Sequence, residues 1–430
     1  MQISPSFKIL ILLVGFISLR AESQENCETS SELWRNYKRF IPKDESPVFT
    51  IKLNYIIPQR TDGTGNFQED NPEHMELLEK SLKKINKLWS ELKKPKDPDC
   101  YPYDDFLDDT HIRFVLNEII FIQDDFYWNA DNGSGCPNDR NWFINPLEEE
   151  IRSDPRYDNA INVYLTNLPG PYEEMIINGT STSEPKGKSP CSELPSHTKL
   201  NRSSRINMAG TYNKFWWMKN IVPVTEEYNS KGYTWEESIK YWMSGSFEHT
   251  MTHELGHSMG LNHANEFHGR NKCDESIMNQ SYQTSHNYLQ PTEIGKIHRN
   301  LRMTNIRKFL LEDVYSEVPF IVDEDADFEM SYLSYEDIIV KSGKKLVITC
   351  ELDMPSKGVI IVEPGAEIVI QGARVHHRNA ANRIGGIILQ KERAPFWVKR
   401  SKRKRANLNF ENNGSYIGTT QVKKVKRIKE

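Results

Sequence analysis

The sequence predicts an α/β (α+β) domain with a mixed sheet, a backing helix and a histidine-bearing helix, followed by a short all-β, β-solenoid-like segment. Three observations lead to this fold class. Apolar residues alternate with polar ones, as in strands, at intervals before residue 213, and these stretches alternate with helical periodicity. A histidine-rich stretch with helical spacing occupies residues 249–263. Beyond residue 313, two strand patterns repeat with an offset of 22 residues.

The first domain is expected to span residues 48–313. Alternating apolar residues predict four strands, at 46–57, 111–122, 160–168 and 205–212. Residues 72–94 predict a long backing helix, because apolar side chains recur there every three or four positions. A last helix is expected over 291–312, since Pro followed by Thr-Glu is a helix-start pattern. Strands that alternate with helices favour a mixed, largely parallel sheet.

The stretch "HTMTHELGHSMGLNH" (249–263) predicts a helix with two different faces. His253 and His257 are four residues apart, so they share one face. The opposite face carries an apolar stripe that would enter a core: Phe247, Met251, Leu255 and Met259. Gly260 is expected to end the helix, because glycine tolerates the chain reversal at a helix C-terminus. His263 follows closely enough to return towards the same point.

Three neutral imidazoles around one point make a tetrahedral zinc site with a fourth position open to water. Glu254 is not needed as a ligand and can accept a proton from that water. The pattern His-Glu-x-x-His-x-x-Gly-x-x-His fixes five positions, which favours a metal site. The alternative is a solvated polar helix face followed by a fortuitous Gly and His. His249 lies outside the pattern and is interpreted as a surface histidine.

This pattern resembles the signature of the metzincin zinc metallopeptidases, in which a Met-containing turn follows the zinc motif. The stretch "CDESIMNQSY" (273–282) offers Met278, and the short connection is most similar to the pappalysin-like branch of secreted bacterial type. The resemblance implies a metzincin-type zinc peptidase fold in which residues 249–259 form the active-site helix, Glu254 is the general base and Met278 forms the floor of the site. It also implies the ligands of one catalytic Zn²⁺: His253, His257 and His263. One departure is Gln280, where several metzincins carry a tyrosine.

The resemblance implies a secreted zinc-dependent endopeptidase that acts on protein or peptide substrates. The alternative is an adhesion or carbohydrate-binding secreted protein with an inactive peptidase fold. An intact Glu254 favours the enzyme, because inactive relatives commonly lose the base or a ligand. No pattern indicates a structural Ca²⁺ site.

The N-terminal sequence predicts that the protein is exported. Residues 9–19 form an apolar run that is too short to span a bilayer, which is typical of a signal peptide over 1–23. Residues 24–47 would then be a pro-segment or linker. No later apolar run reaches membrane length, so we expect an extracellular protein without a transmembrane segment. The N-glycosylation patterns in the domain are interpreted as incidental, which favours a bacterial source.

Six cysteines in an exported chain predict disulfides, at positions 27, 100, 136, 191, 273 and 350. Four of them fall within 48–313 and allow three connectivities, among which the sequence does not choose. Cys273 is placed to pin the Met-containing turn. Some metzincins are kept latent by a pro-segment cysteine on the zinc, and the resemblance makes Cys27 a candidate latency ligand. The alternatives for Cys27 are pairing with another cysteine or no role.

The C-terminal part divides into two segments. Residues 342–349 and 364–371 repeat a turn followed by a strand, which predicts a β-solenoid over 314–390. The alternative is a small β-sandwich of hairpins. Residues 391–430 hold 13 Lys and Arg against 3 Glu, a net charge of +10 in a chain of net charge −5. We expect a disordered basic tail or a truncated solenoid end rather than an anchor on an anionic surface, and no nucleic-acid partner.

Overall fold

A computed structural model describes much of the chain in segments. They are residues 36–97, 100, 105–129, 144–166, 191–192, 205–208, 211–212, 215, 247–264, 273, 275–279, 287–311, 314–378, 386–392, 404–412 and 414–417. The expected signal peptide, Cys27, Cys136 and Gln280 lie outside them. The chain divides into two compact units, whose main parts are Val48–Glu312 and Asp313–Glu430. They are called the N-terminal unit and the C-terminal unit below.

The N-terminal unit contains a five-stranded sheet in the order β2-β1-β3-β5-β4. Its strands are β1 (Phe49–Gln59), β2 (Ile112–Gln123), β3 (Ile161–Tyr164), β4 (Cys191–Ser192) and β5 (Arg205–Asn207). Neighbouring strands run parallel except β4, which is antiparallel to β5. β1 is almost entirely buried, as expected of a strand flanked on both sides in a covered parallel sheet. The predicted mixed, largely parallel sheet is therefore present.

The backing helix α1 (Pro72–Ser90) begins where the sequence predicts and ends earlier. Asn71 caps its start, with a side-chain oxygen that accepts hydrogen bonds from two backbone N–H groups of the first turn. The prediction extended to residue 94. The helix ends at Ser90 because the next amides bond elsewhere: the N–H of Leu92 donates to Asp108 O at 2.7 Å, and that of Lys93 donates to Asn287 O at 2.8 Å.

Four further helices complete this unit in the part that the structure describes. They are α2 (Asp125–Asn129), α3 (Ile144–Ser153), α4 (Glu248–Ser258) and α5 (Pro291–Met303). A capping box starts α5, where the Gln290 N–H donates to Glu293 Oε2 at 2.8 Å. The predicted helix over 291–312 is interrupted at Thr304, whose backbone is extended, and a short 3₁₀ helix follows at Asn305–Phe309.

The described residues of the C-terminal unit form short strands in three four-stranded sheets. The strands are β6 (Ser316–Val322), β7 (Ala326–Phe328), β8 (Tyr332–Leu333), β9 (Glu336–Val340), β10 (Lys345–Ile348), β11 (Leu352–Met354), β12 (Val359–Val362), β13 (Glu367–Gln371), β14 (Arg374–His377), β15 (Gly386–Leu389), β16 (Asn407–Glu411) and β17 (Ser415–Ile417). Every third strand along the chain joins the same sheet, and all neighbours are parallel. A sandwich of hairpins would instead pair consecutive strands antiparallel.

The repeat seen in the sequence corresponds to strand pairing in the C-terminal unit. Leu346 pairs with Ile368, and both are completely buried. The turns before these two strands contain Gly343 and Gly365, at φ +76° and +85°, a left-handed conformation that favours glycine. The tail expected to be disordered is strand in part, because β16 and β17 pair with β13 and β14. Its Lys- and Arg-rich composition hid the short alternating stretch "NLNFE".

The described part of the chain is thus mixed α/β, with parallel sheets and few helices. No helix among the described residues is long and apolar enough to cross a membrane.

Candidate metal centre

Helix α4 orients the candidate ligands through its amphipathic pattern. The predicted apolar stripe is buried: Phe247, Met251, Leu255 and Met259 are at most 7% exposed. His253 and His257 lie on the remaining face and are only partly buried. The burial of one face therefore fixes the direction in which the two imidazoles point.

The end of α4 returns the chain towards this face. Gly260 has φ +96° and sits just after the helix. The Leu261 N–H donates to Gly256 O at 2.9 Å, and the Gly260 N–H donates to His257 O at 2.7 Å. These two bonds form a Schellman motif, in which a left-handed glycine reverses the chain. The reversal brings His263 back beside His257.

The structure brings the three predicted ligands together. Nε2 of His257 lies 3.1 Å from Nε2 of His253 and 3.1 Å from Nε2 of His263. The ligand atoms of all three residues lie within 4.8 Å of one another. A tetrahedral zinc with Zn–N bonds of about 2.0–2.1 Å requires its ligand nitrogens to be about 3.3 Å apart. The cluster could bind a metal ion, and its spacing fits zinc.

Backbone carbonyls fix which nitrogen carries hydrogen in two of the three rings, those of His253 and His257. Nδ1 of His253 lies 2.8 Å from Ile277 O, and Nδ1 of His257 lies 2.8 Å from Leu261 O. A carbonyl oxygen can only accept a hydrogen bond, so each of these two neutral rings donates one through Nδ1. Its Nε2 then keeps a lone pair. Two such lone pairs 3.1 Å apart repel each other, whereas a cation between them would be attracted by both. This arrangement is typical of histidines that bind a metal.

Met278 packs beneath the helix. It is completely buried, and its carbonyl accepts a hydrogen bond from the Ala264 N–H at 3.0 Å. A Cβ atom at Gly256 would collide with Met278 Sδ, so any side chain there would displace Met278. Gly256 was not among the predicted site residues. Its position directly before the second histidine of the motif is the signal that could have identified it.

A disulfide joins Cys100 to Cys273 across a separation of 173 residues. It is one of the pairings that the sequence allowed, and it attaches the segment containing Met278 to the chain that follows α1. Cys350 is also disulfide-bonded, and its partner is neither Cys100 nor Cys273, which pair with each other.

Helix α4 also carries two acidic side chains that are buried and that are close to the ligands in sequence. Glu254 directly follows the first ligand and is 4% exposed. Glu248, at the start of the helix, is 1% exposed, and burial raises its pKa to about 7 against the opposing charge of Lys84. The Lys84 Nζ lies 3.4 Å from Glu248 Oε1. His249 is partly buried and lies outside the three-histidine cluster.

Comparison with protein-family models and with curated proteins gives no match. The geometry alone thus defines the class of site, a three-histidine cluster that could hold one metal ion.

Proposed function

We propose that this chain is an exported zinc-dependent endopeptidase. One observation carries the proposal: His253 and His257 each commit Nδ1 to a backbone carbonyl, while their Nε2 atoms converge with that of His263. Neutral imidazoles held in this way are the usual ligands of a catalytic zinc. Glu254 directly follows the first of them, which supplies the acid–base group that peptide hydrolysis needs.

We also propose a metzincin-type fold for the N-terminal unit and a β-solenoid for the C-terminal unit. The first proposal is supported by the backing helix α1, the helix α4 with its ligands, and Met278 packed beneath that helix. The second is supported by three parallel sheets in which every third strand pairs, as β10 and β13 do through Leu346 and Ile368. One circuit of the proposed solenoid would take 22 residues between β10 and β13 and 40 residues between β13 and β16.

In the mechanism that we propose, zinc would supply Lewis acidity at a coordination position that the three histidines leave open. Glu254 accepts a proton from the attacking water and returns it to the leaving amine. Because its side chain is 4% exposed, bulk water competes little for this proton. The hydrogen bonds to Ile277 O and Leu261 O hold the two imidazole rings in one tautomer and one orientation.

Two further features of the structure agree with the proposed peptide substrate and extracellular location. β4 is the last strand of its sheet in the described part of the chain, and extended peptides bind to sheet edges through backbone hydrogen bonds. The Cys100–Cys273 disulfide agrees with an oxidising compartment, because cytosolic proteins rarely keep such bonds.

The proposal is tested by metal content and by cleavage of a peptide library. Purified protein should contain about one zinc per chain, as three histidines around an open position require. Glu254→Gln preserves the shape of the side chain and the ligands, so this variant should retain zinc. It should lower turnover by about 10²–10⁴-fold, the usual contribution of a positioned acid–base group.

His249→Ala is the matched control, because this histidine is on the same helix but outside the cluster. It should retain both zinc and activity. If zinc-loaded Glu254→Gln cleaves peptides at the wild-type rate, the proposed mechanism is wrong. Zinc-loaded wild-type protein that cleaves no peptide would favour the adhesion or carbohydrate-binding alternative.

A further inference from the structure

The segment that contains Met278, residues 273–279, has no helix or extended strand among its described residues. It is called the Met-turn segment here. Tertiary contacts must hold it, since it has no regular backbone ladder of its own. Two of these contacts join it to the chain that follows α1.

The first contact is covalent. Cys273, at the start of the Met-turn segment, is bonded to Cys100, and both cysteines are at most 2% exposed. They form a buried cluster with Tyr288, against which Phe106 packs. The disulfide therefore lies in the buried surroundings that are typical of a structural element.

The second contact is the carboxylate of Glu275. Its Oε1 accepts hydrogen bonds from the backbone N–H groups of Lys96 at 2.8 Å and Asp97 at 2.9 Å. Hydrogen bonds to an ionised acceptor are about twice as strong as those between neutral groups. Glu275 is three residues before Met278, so the disulfide and this carboxylate hold the same short stretch.

The other end of the Met-turn segment touches the metal centre. Ile277 O lies 2.8 Å from Nδ1 of His253, and the Ile277 N–H donates to Tyr288 O at 2.9 Å. The Ala264 N–H donates to Met278 O at 3.0 Å, close to the third ligand in sequence. A shift of the segment would therefore move the carbonyl that orients the first ligand.

We propose that the Cys100–Cys273 disulfide and Glu275 form a clamp that positions the Ile277 carbonyl and, through it, His253 for zinc. Both are positioning groups, because neither touches the metal. This inference rests on the proposed function and adds a determinant of zinc retention that lies outside the motif. Partners that orient a metal-binding histidine typically contribute about 10–100-fold to metal affinity.

The experiment measures the rate at which a chromogenic chelator removes zinc from the folded full-length protein. The double variant Cys100→Ala/Cys273→Ala should release zinc about 10–100-fold faster than wild type. Glu275→Gln leaves a neutral acceptor, so it should accelerate release by a smaller factor. The absorption spectrum of the Co²⁺-substituted protein, which reports ligand geometry, should change in both variants.

Asp62→Asn is the matched control. Asp62 Oδ1 also accepts two hydrogen bonds, from the N–H and the hydroxyl of Thr64, in a turn outside the clamp. The thermal midpoint of each apo variant measures general destabilisation separately. Suppose that Glu275→Gln and Asp62→Asn have equal thermal midpoints as apo proteins. Faster zinc release in Glu275→Gln alone would then support the clamp, even if the double cysteine variant failed to fold.

The outcomes separate this inference from the proposed function. Wild-type protein without zinc would refute the metal site itself. The clamp alone would be refuted if wild-type protein contains zinc but the Glu275→Gln and cysteine variants release it at the wild-type rate. Their Co²⁺ spectra would then also be unchanged. An equal acceleration in Asp62→Asn would also refute it, because general destabilisation would then explain the effect.

Discussion

Both units contain histidines beside other polar groups, but the groups next to the ring nitrogens differ. The two sites compared are the cluster with His253 and His257 and the cluster with His376. In the N-terminal unit, His253 and His257 each have Nδ1 2.8 Å from a backbone carbonyl oxygen. In the C-terminal unit, His376 lies between two carboxylates, with Nδ1 3.6 Å from Glu351 Oε1 and Nε2 3.6 Å from Asp353 Oδ1. The partners of the ring nitrogens, rather than the presence of histidine, determine whether a lone pair is directed at a metal.

Burial separates the two clusters as well. The side chains of Glu351 and Asp353 are 40% and 22% exposed, whereas Glu254 and Glu248 of α4 are 4% and 1% exposed. Water and salt screen the interactions of partly exposed carboxylates more than those of buried ones. Buried ionisable groups in fixed positions are more often functional. The comparison therefore predicts that chemistry belongs to the N-terminal unit.

The largest expected effect is the loss of zinc on removal of one ligand. His257→Ala leaves two imidazoles, so the zinc content should fall from about one per chain to near zero. His376→Ala removes a histidine with carboxylate neighbours and should leave the zinc content unchanged. Elemental analysis of both purified variants measures the difference directly.

The same two variants can also contradict the assignment of the metal to the N-terminal unit. Full zinc occupancy in His257→Ala would show that the metal is bound elsewhere. Loss of zinc in His376→Ala would assign the metal to the C-terminal unit instead.

A smaller effect is expected from the buried carboxylate of Glu248. Its pKa is raised to about 7 from 4.5, mainly by burial. The folded state therefore binds more protons than the unfolded state between these values, and stability must fall as pH rises from about 4.5 to about 7. The shift corresponds to about 3 kcal/mol, at 1.36 kcal/mol per pKa unit. Glu248→Gln should remove this loss, so its advantage over wild type should grow with pH across that window.

Urea unfolding of the apo proteins at pH 5 and pH 8 measures this change without interference from zinc. Glu76→Gln is a control of opposite sign, because a hydrogen bond from Lys80 lowers the pKa of the exposed Glu76. It should give no gain in stability towards high pH. If Glu248→Gln and wild type differ by the same amount at both pH values, the Glu248 carboxylate does not titrate in this range.

The candidate site could be predicted from the sequence where its contacts are local. His253, His257, Gly260 and His263 fall within eleven residues, so helical spacing and one glycine turn suffice to bring them together. The Cys100 partner could not be predicted, because it lies 173 residues away and every pairing satisfied the spacing. The pKa of Glu248 was also hidden, because it depends on tertiary burial.

The fold, like the site, could be predicted from the sequence only in part. Periodicity predicted the existence of α1 and the strands, because it records which face is buried. It did not predict the end of α1, where Leu92 and Lys93 donate to distant carbonyls. In the C-terminal unit, two repeats were visible and the strands β16 and β17 were not, since charged residues precede them and Phe410 is 49% exposed.

The smallest expected effects come from two glycines, one in each unit, which are needed for different reasons. A Cβ at Gly256 would collide with Met278, whereas Gly343 has φ +76° and open space around it. Gly256→Ala should gain about 1 kcal/mol of helix propensity and lose about 1–3 kcal/mol to overpacking. Its net stability change should therefore be small, while displacement of Met278 speeds zinc release. Gly343→Ala should cost about 1–2 kcal/mol through its left-handed backbone and leave zinc release unchanged. Urea unfolding and chelator kinetics on both variants test the contrast, and faster zinc release in Gly343→Ala than in Gly256→Ala would contradict it.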